Sequence, residues 1–268
     1  DLAQTLEQIS TAGQLAFYQG AIADKLVLAS QKGGGIFTKE DLAKYQISET
    51  KPLHCSYRDY QIITSPPPGG GITVCQMLNI LEGYPASQAN VMKWHRRLSA
   101  MLFAYAERNQ NRGDPAFVSI PQEKLISKQY AATLRKKIGD RAINPKSIGF
   151  KSEQKEGNNT THYSIIDGKG NAVAVTYTLN SAFGAGVVAP GTGIILNNEM
   201  DDFTAQPGKA NQFGLVQGDT NRIQPGKRPA SSMSPTMIKK DGKVVLITGS
   251  PGGSTIPTTV LQVILGVV

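Results

Sequence analysis

The sequence predicts an α+β fold, and three observations carry that expectation. Apolar residues recur at helical spacing through much of the chain up to Lys146. Residues 147–159 are polar and show no apolar period, as an exposed, cuttable linker would. Beyond them the period shortens to two, which marks half-buried strands. Helices that precede strands in this way pack best as a sheet covered by helices.

The elements follow in order. Leu2, Leu6, Ile9, Ile22, Leu26 and Val27 give helical spacing over residues 1–32, with breaks at Gly13 and Gly20. Thr38-Lys39-Glu40-Asp41 has the form of a capping box opening a short helix through Tyr45. Strands are expected between Leu53 and Ile63, around the Tyr57-Arg58-Asp59-Tyr60 turn. Pro66-Pro67-Pro68-Gly69-Gly70-Gly71 reads as a stiff, then flexible, loop before a helix over Thr73–Leu81. Met92, His95, Leu98, Met101, Leu102 and Tyr105 mark the longest helix face, and a further helix is expected from Pro121 to Ile138. Tyr163–Ile166 and Ala172–Tyr177, around Asp167-Gly168-Lys169-Gly170, predict a hairpin. A second hairpin is expected from Thr236 to Thr248, around Asp241-Gly242.

Composition narrows the function classes. The 268 residues are 40% hydrophobic and 18% charged, the profile of a folded globular chain. No apolar run reaches membrane-spanning length, and the first residues lack a signal-peptide pattern. The chain starts and stops inside helical patterns, so it is expected to be a fragment of something longer. Net charge is +8, and the excess clusters between Arg108 and Lys146. Without interleaved aromatics or a recognition motif this reads as a solvated helix face, not a nucleic-acid footprint. Cys55 and Cys75 permit a disulfide without requiring one. The histidines show no ligand spacing, which leaves a zinc site or a Ser-His-Asp triad without support.

The candidate chemistry centres on Thr160. It follows Gly157-Asn158-Asn159 and begins a strand; cleavage of the Asn159–Thr160 bond would give it a free α-amine beside its hydroxyl, a nucleophile with its own base. If Ile166 faces Asn171 across the turn, Thr160 lies opposite Tyr177, bringing the Thr178 hydroxyl close. Downstream, Thr248-Gly249-Ser250-Pro251-Gly252-Gly253-Ser254-Thr255 precedes an apolar segment and suits backbone N–H stabilisation of an oxyanion. It lacks nucleotide-phosphate loop spacing. Glu199 and Asp202 are suited to a substrate ammonium, although carboxylates at that density equally suit a cation or a turn cap. Ser231 and Ser232 form either a polar turn or a binding site.

Taken together, Thr-Thr-His-Tyr-Ser, Asn-Ala-Val-Ala-Val-Thr-Tyr-Thr-Leu-Asn, Leu-Asn-Asn-Glu-Met-Asp-Asp-Phe, Arg-Pro-Ala-Ser-Ser-Met-Ser-Pro-Thr and Gly-Ser-Pro-Gly-Gly-Ser, in that order from Thr160 to Ser254, resemble the γ-glutamyltransferase family of N-terminal nucleophile hydrolases. The resemblance implies a four-layer αββα sandwich, present here as a fragment. Residues 1–159 would be the later part of a large subunit, and 160–268 the first part of a small subunit, the two forming a heterodimer from one precursor. It implies Thr160 as the nucleophile after autocatalytic cleavage, Thr178 as its hydrogen-bonding partner, and Gly252 and Gly253 as oxyanion donors. Asn180, Glu199, Asp202, Ser231 and Ser232 would bind the γ-glutamyl group. Residues after Phe203, through Phe213, resemble a lid, with Phe213 in the place of its aromatic gate.

The activity implied is γ-glutamyl transfer from glutathione or similar amides to water, amino acids or dipeptides, in a periplasmic or extracellular setting. No cofactor and no metal are expected. The family's arginine for the α-carboxylate falls in sequence ahead of Asp1, and no substitute is evident among the residues here. A related acylase, a poly-γ-glutamate depolymerase, or an unprocessed non-enzymatic relative are the alternatives.

Overall fold

The structure, a computed structural model, describes residues 1–85, 90–150 and 159–268; most of the expected linker, residues 151–158, lies outside the described residues. In chain order the helices and strands are α1 (Leu2–Ala12), α2 (Gln14–Tyr18), α3 (Ala21–Lys32), α4 (Lys39–Ala43), β1 (Leu53–Tyr57), β2 (Tyr60–Thr64), α5 (Gly71–Glu82), α6 (Asn90–Asn111), α7 (Gln122–Leu125) and α8 (Lys128–Arg135). These are followed by β3 (Thr161–Ile166), β4 (Ala172–Tyr177), β5 (Val188–Ala189), β6 (Ile194–Ile195), β7 (Thr236–Lys240), β8 (Lys243–Thr248) and α9 (Ile256–Val267). Two compact units result, one of residues 1–50 with 179–198, the other of 51–178 with 199–268. Each unit draws chain from both sides of Asn159–Thr160.

In the smaller unit, Ile22, Leu26 and Ala29 of α3 pack against Ala189 of β5, with Ile194 and Leu196 alongside. Thr5 Oγ1 donates to the Thr192 carbonyl at 2.9 Å and Lys25 Nζ to that of Gly191 at 2.8 Å, tying the helices to the β5–β6 turn. The capping box at α4 forms as expected. The Asp41 N–H donates to Thr38 Oγ1, and the Thr38 N–H donates to the Asp41 carboxylate.

The larger unit is built on an antiparallel sheet in the order β1-β2-β7-β8. The β2–β7 pairing, with Ile62 opposite Ile238, closes the sheet across most of the chain's length. Helix α5 is buried nearly all round: Val74, Cys75, Met77, Leu78 and Ile80 enter the core, and its polar stripe of Thr73, Gln76 and Asn79 is covered as well. It packs with Ile256, Val260, Leu261 and Ile264 of α9 to form the main core. Cys55 of β1 and Cys75 of α5 form a disulfide, resolving what their spacing left open.

Three sequence expectations are corrected. The Pro121–Ile138 helix is two helices, since the Ser127 hydroxyl accepts from the Tyr130 N–H at 3.0 Å and starts α8 afresh. Helix α6 buries Ala100, Phe103 and Ala104 against the core, whereas Leu98 is exposed. The small alanines admit close approach to α5. The first hairpin is shifted by one residue: Ile166 pairs with Ala172, not Asn171. The Asp167 carboxylate accepts from the Lys169 and Asn171 N–H groups, which draws Asn171 into the turn.

Candidate active site

The corrected register improves the local geometry. Thr161 pairs with Tyr177, so the ladder continues to Thr160 opposite Thr178. The Thr160 hydroxyl donates to Thr178 Oγ1 at 3.2 Å. Thr160 has φ 139°, a region that β-branched residues rarely adopt and that costs on the order of 1–3 kcal/mol. The strained residue is the one whose N-terminal peptide bond is expected, from the sequence, to be cut. One step along, His162 exchanges a 2.7 Å hydrogen bond from Nδ1 with Thr176 Oγ1 and a 3.1 Å bond from Nε2 with Ser164 Oγ. Burial lowers its pKa, favouring the neutral ring.

The His162 ring lies against Gly249, where a Cβ would fall 2.1 Å from Nδ1, so only glycine fits. This contact sets the start of the hairpin beside the glycine turn that follows β8. Gly252 and Gly253 adopt φ 127° and 52°, conformations open to glycine, and Gly253–Thr255 forms a short 3₁₀ turn into α9. Tyr105 of α6 donates to the Ser254 carbonyl at 2.5 Å. The Phe213 ring covers Gly253, and a Cβ there would lie 2.7 Å from it.

Glu199 and Asp202 share a 3₁₀ turn. Burial first, then the Asp202 carboxylate beside it, pushes Glu199 up to about 7. The neighbouring Asp201 carboxylate accepts from the Gln212 N–H at 2.8 Å, anchoring the segment that carries Phe213.

The Ser231–Ser232 loop is stitched from two sides. The proline-glycine loop ahead of α5 accepts the Ser231 N–H at Pro68 O (2.9 Å) and donates from the Gly70 N–H to Met233 O (2.8 Å). A Cβ at Gly70 would fall 1.9 Å from Ser234 Oγ and 2.5 Å from the Ser232 carbonyl oxygen, so there is no room for a side chain here. From the other side come two arginines. Arg108 Nη2 donates to Ser232 Oγ at 2.6 Å, and Arg112 donates to the Ser231 carbonyl at 2.6 Å and to Thr73 Oγ1 at 2.9 Å. They are 4% and 5% exposed. The expected solvated face of basic residues therefore fails for this pair. Burial lowers the pKa of both, and the Arg108 charge lowers that of Arg112 further; a guanidinium nevertheless holds its proton in proteins.

The larger unit thus brings Thr160 to Thr178, Glu199 to Asp202, and Phe213 to Gly253. Asn180 belongs to the smaller unit, where it is buried at φ 74° and donates from Nδ2 to the Asn198 carbonyl at 3.2 Å. Sequence reading missed Tyr105, Arg108 and Arg112. A signal was present: Arg108 and Arg112 continue the four-residue steps of Ala100 and Ala104, on the face that α6 buries.

A threonine at a strand start, a glycine turn and a paired acidic turn on an α+β scaffold are the features the sequence leads one to expect of an acyl-transfer site. The family model described as gamma-glutamyltranspeptidase matches residues 1–268, and the chain belongs to that family. It is 49% identical to the glutathione hydrolase proenzyme of Pseudomonas sp. (strain A14), covering 100% of this chain and 48% of that protein. Identity is also 49% to the Escherichia coli (strain K12) proenzyme of the same description, covering 99% and 47%. The chain therefore spans about half the length of the curated relatives it matches. Among solved structures, a cephalosporin acylase from Bacillus halodurans superposes with a TM-score of 0.83 at 29% identity, over 99% of this chain and 46% of that one. Helicobacter pylori gamma-glutamyltranspeptidase gives 0.52 at 40% identity, over 54% of this chain and 43% of that one. Among the described residues no helix is long and apolar enough to cross a membrane.

Proposed function

We propose that the full-length protein is a γ-glutamyltransferase and glutathione hydrolase whose nucleophile is Thr160. The observation that carries this reading is the Thr160–Thr178 hydroxyl contact at the mouth of the hairpin, on a residue with a strained backbone. In the proposed reaction, hydrolysis of the Asn159–Thr160 bond frees the Thr160 amine. With a pKa near the free α-amino range of about 7.7–8.0, that amine accepts the hydroxyl proton at neutral pH. Thr160 Oγ1 then attacks the γ-carbonyl of the donor, and Thr178 steadies the attacking oxygen. The Gly252 and Gly253 N–H groups receive the oxyanion. The leaving amine takes the proton as the C–N bond breaks, which leaves a threonyl ester. Water, an amino acid or a dipeptide then attacks the ester and regenerates Thr160.

In the same reading Glu199 and Asp202 bind the α-ammonium of the donor, while Ser231 and Ser232 bind its α-carboxylate. The resemblance adds Asn180 to the substrate-binding residues on sequence alone. Phe213, which covers Gly253, is the gate of the lid. Residues 1–159 and 160–268 fall in the large and small subunits. The Cys55–Cys75 disulfide supports a periplasmic or extracellular setting.

Thr160→Ala in the full-length protein is the test. It is expected to leave a single unprocessed band on a denaturing gel and no turnover of a γ-glutamyl anilide, whereas Thr160→Ser retains part of both. Processing and turnover that persist in Thr160→Ala would refute the assignment.

The second reading, an acylase for another acyl group, is favoured by the superposition on the cephalosporin acylase. The paired acids Glu199 and Asp202 fit a donor that carries an ammonium. Turnover of a γ-glutamyl amide against a glutaryl amide, which lacks that ammonium, separates the two readings.

A further inference from the structure

Arg108 lies where the reading above has no use for it. The side chain is 4% exposed, makes no ion pair among the described residues, and leaves its Nε buried without a hydrogen-bond partner. A buried cation with no ion pair is costly, and native structures retain one where something repays it. Its short bond to Ser232 shows what is gained. A guanidinium has no acceptor, so Arg108 must donate to Ser232 Oγ. One lone pair of that hydroxyl is thereby occupied, and its own proton is left to be given to an acceptor. The Asp202 carboxylate acts on the Arg108 charge and offsets part of the effect of its burial. Arg112, by contrast, donates to a backbone carbonyl, that of Ser231, and to Thr73 Oγ1.

We propose that Arg108 is a positioning residue for the donor: it fixes Ser232 as a hydrogen-bond donor and places a buried positive charge behind it, so that this loop selects a carboxylate over a neutral group. The inference rests on the γ-glutamyl reading and deepens it. The donor's α-carboxylate brings a second anion to that charge, beside the influence of Asp202. The arginine touches the substrate only through the serine hydroxyl.

The test compares two donors in the full-length processed enzyme: a γ-glutamyl anilide and the same anilide with its α-carboxylate converted to a primary carboxamide. Arg108→Met is expected to raise KM for the carboxylate donor by about 10- to 100-fold, the usual weight of a hydrogen bond to a charged group, with kcat nearly unchanged. KM for the carboxamide donor is expected to stay within about twofold, since no anion is present to feel the charge. Arg108→Lys keeps the charge and is expected to rescue part of the preference. If Arg108→Met does not fold, the same two-donor comparison on Arg108→Lys decides. Equal losses on both donors would mean that Arg108 merely supports the loop, and an unchanged preference would mean that it does not act on the carboxylate; either overturns the proposal alone. A wild-type enzyme that consumes neither donor overturns the γ-glutamyl reading and this inference with it.

Discussion

The hairpin that carries Thr160 and the loop that carries Ser232 are held in opposite ways. Thr160 and Thr178 are 18 residues apart and meet through the register of two adjoining strands. Arg108 and Ser232 are 124 residues apart and meet only because α6, the proline-glycine loop and the chain ahead of β7 converge. The first pair is partly open and neutral; the second carries a cation taken out of water. Local pairing can set a reactive hydroxyl with little buried charge. A charged cradle needs long-range packing to keep water out and the loop in place.

The largest way to break this contrast is Gly253→Ala. Its φ of 52° and the Phe213 ring 2.7 Å from the new Cβ both oppose the change. Alanine keeps the backbone N–H, but the strain would turn it away from the oxyanion; since an oxyanion donor is typically worth about 10²–10³ in kcat, a fall approaching that order is expected in steady-state kinetics. A change under tenfold would remove the glycine turn from the chemistry.

Next comes Arg112→Met, which leaves the Ser231 carbonyl and the Thr73 hydroxyl without their donor in a buried setting. Denaturant unfolding should show a loss of about 2–4 kcal/mol. A loss below 0.5 kcal/mol, the usual range for surface changes, would mean the loop is held elsewhere. Thr178→Val is the matching change on the hairpin. It should lower kcat by about tenfold, the worth of one hydrogen bond, with little change in the unfolding midpoint. A drop in stability without a drop in rate would reverse the contrast between the two regions.

The smallest effect concerns Glu199. Its folded pKa, raised to about 7, means that the folded protein holds a proton that the unfolded chain releases near 4.3 (roughly the unperturbed glutamate value). The stability it contributes is present below the unfolded pKa and is lost as pH rises through about 7. Glu199→Gln should therefore flatten the fall of Tm across that window. The same ionisation should lower the donor's KM as pH rises through about 7, because an ammonium is bound best by a charged carboxylate. A wild-type Tm that rises over this interval would contradict the assignment.

Sequence by itself determined the α+β class, the two main hairpins, the α4 capping box, and the meeting of Thr160 with Thr178. Each of these is written in short-range spacing: alternation and turn residues. Tertiary structure alone decided the rest. The bond between Cys55 and Cys75, the burial of Arg108 and Arg112, and the contact of Phe213 with Gly253 join residues 20, 124 and 40 positions apart or bury charge that composition assigns to the surface. The physical reason lies in the reach of each signal. Backbone periodicity is imposed by neighbours a few residues away. The partner of a buried charge is chosen by whichever segment the closed sheet, sealed by Ile62 against Ile238, happens to bring beneath it.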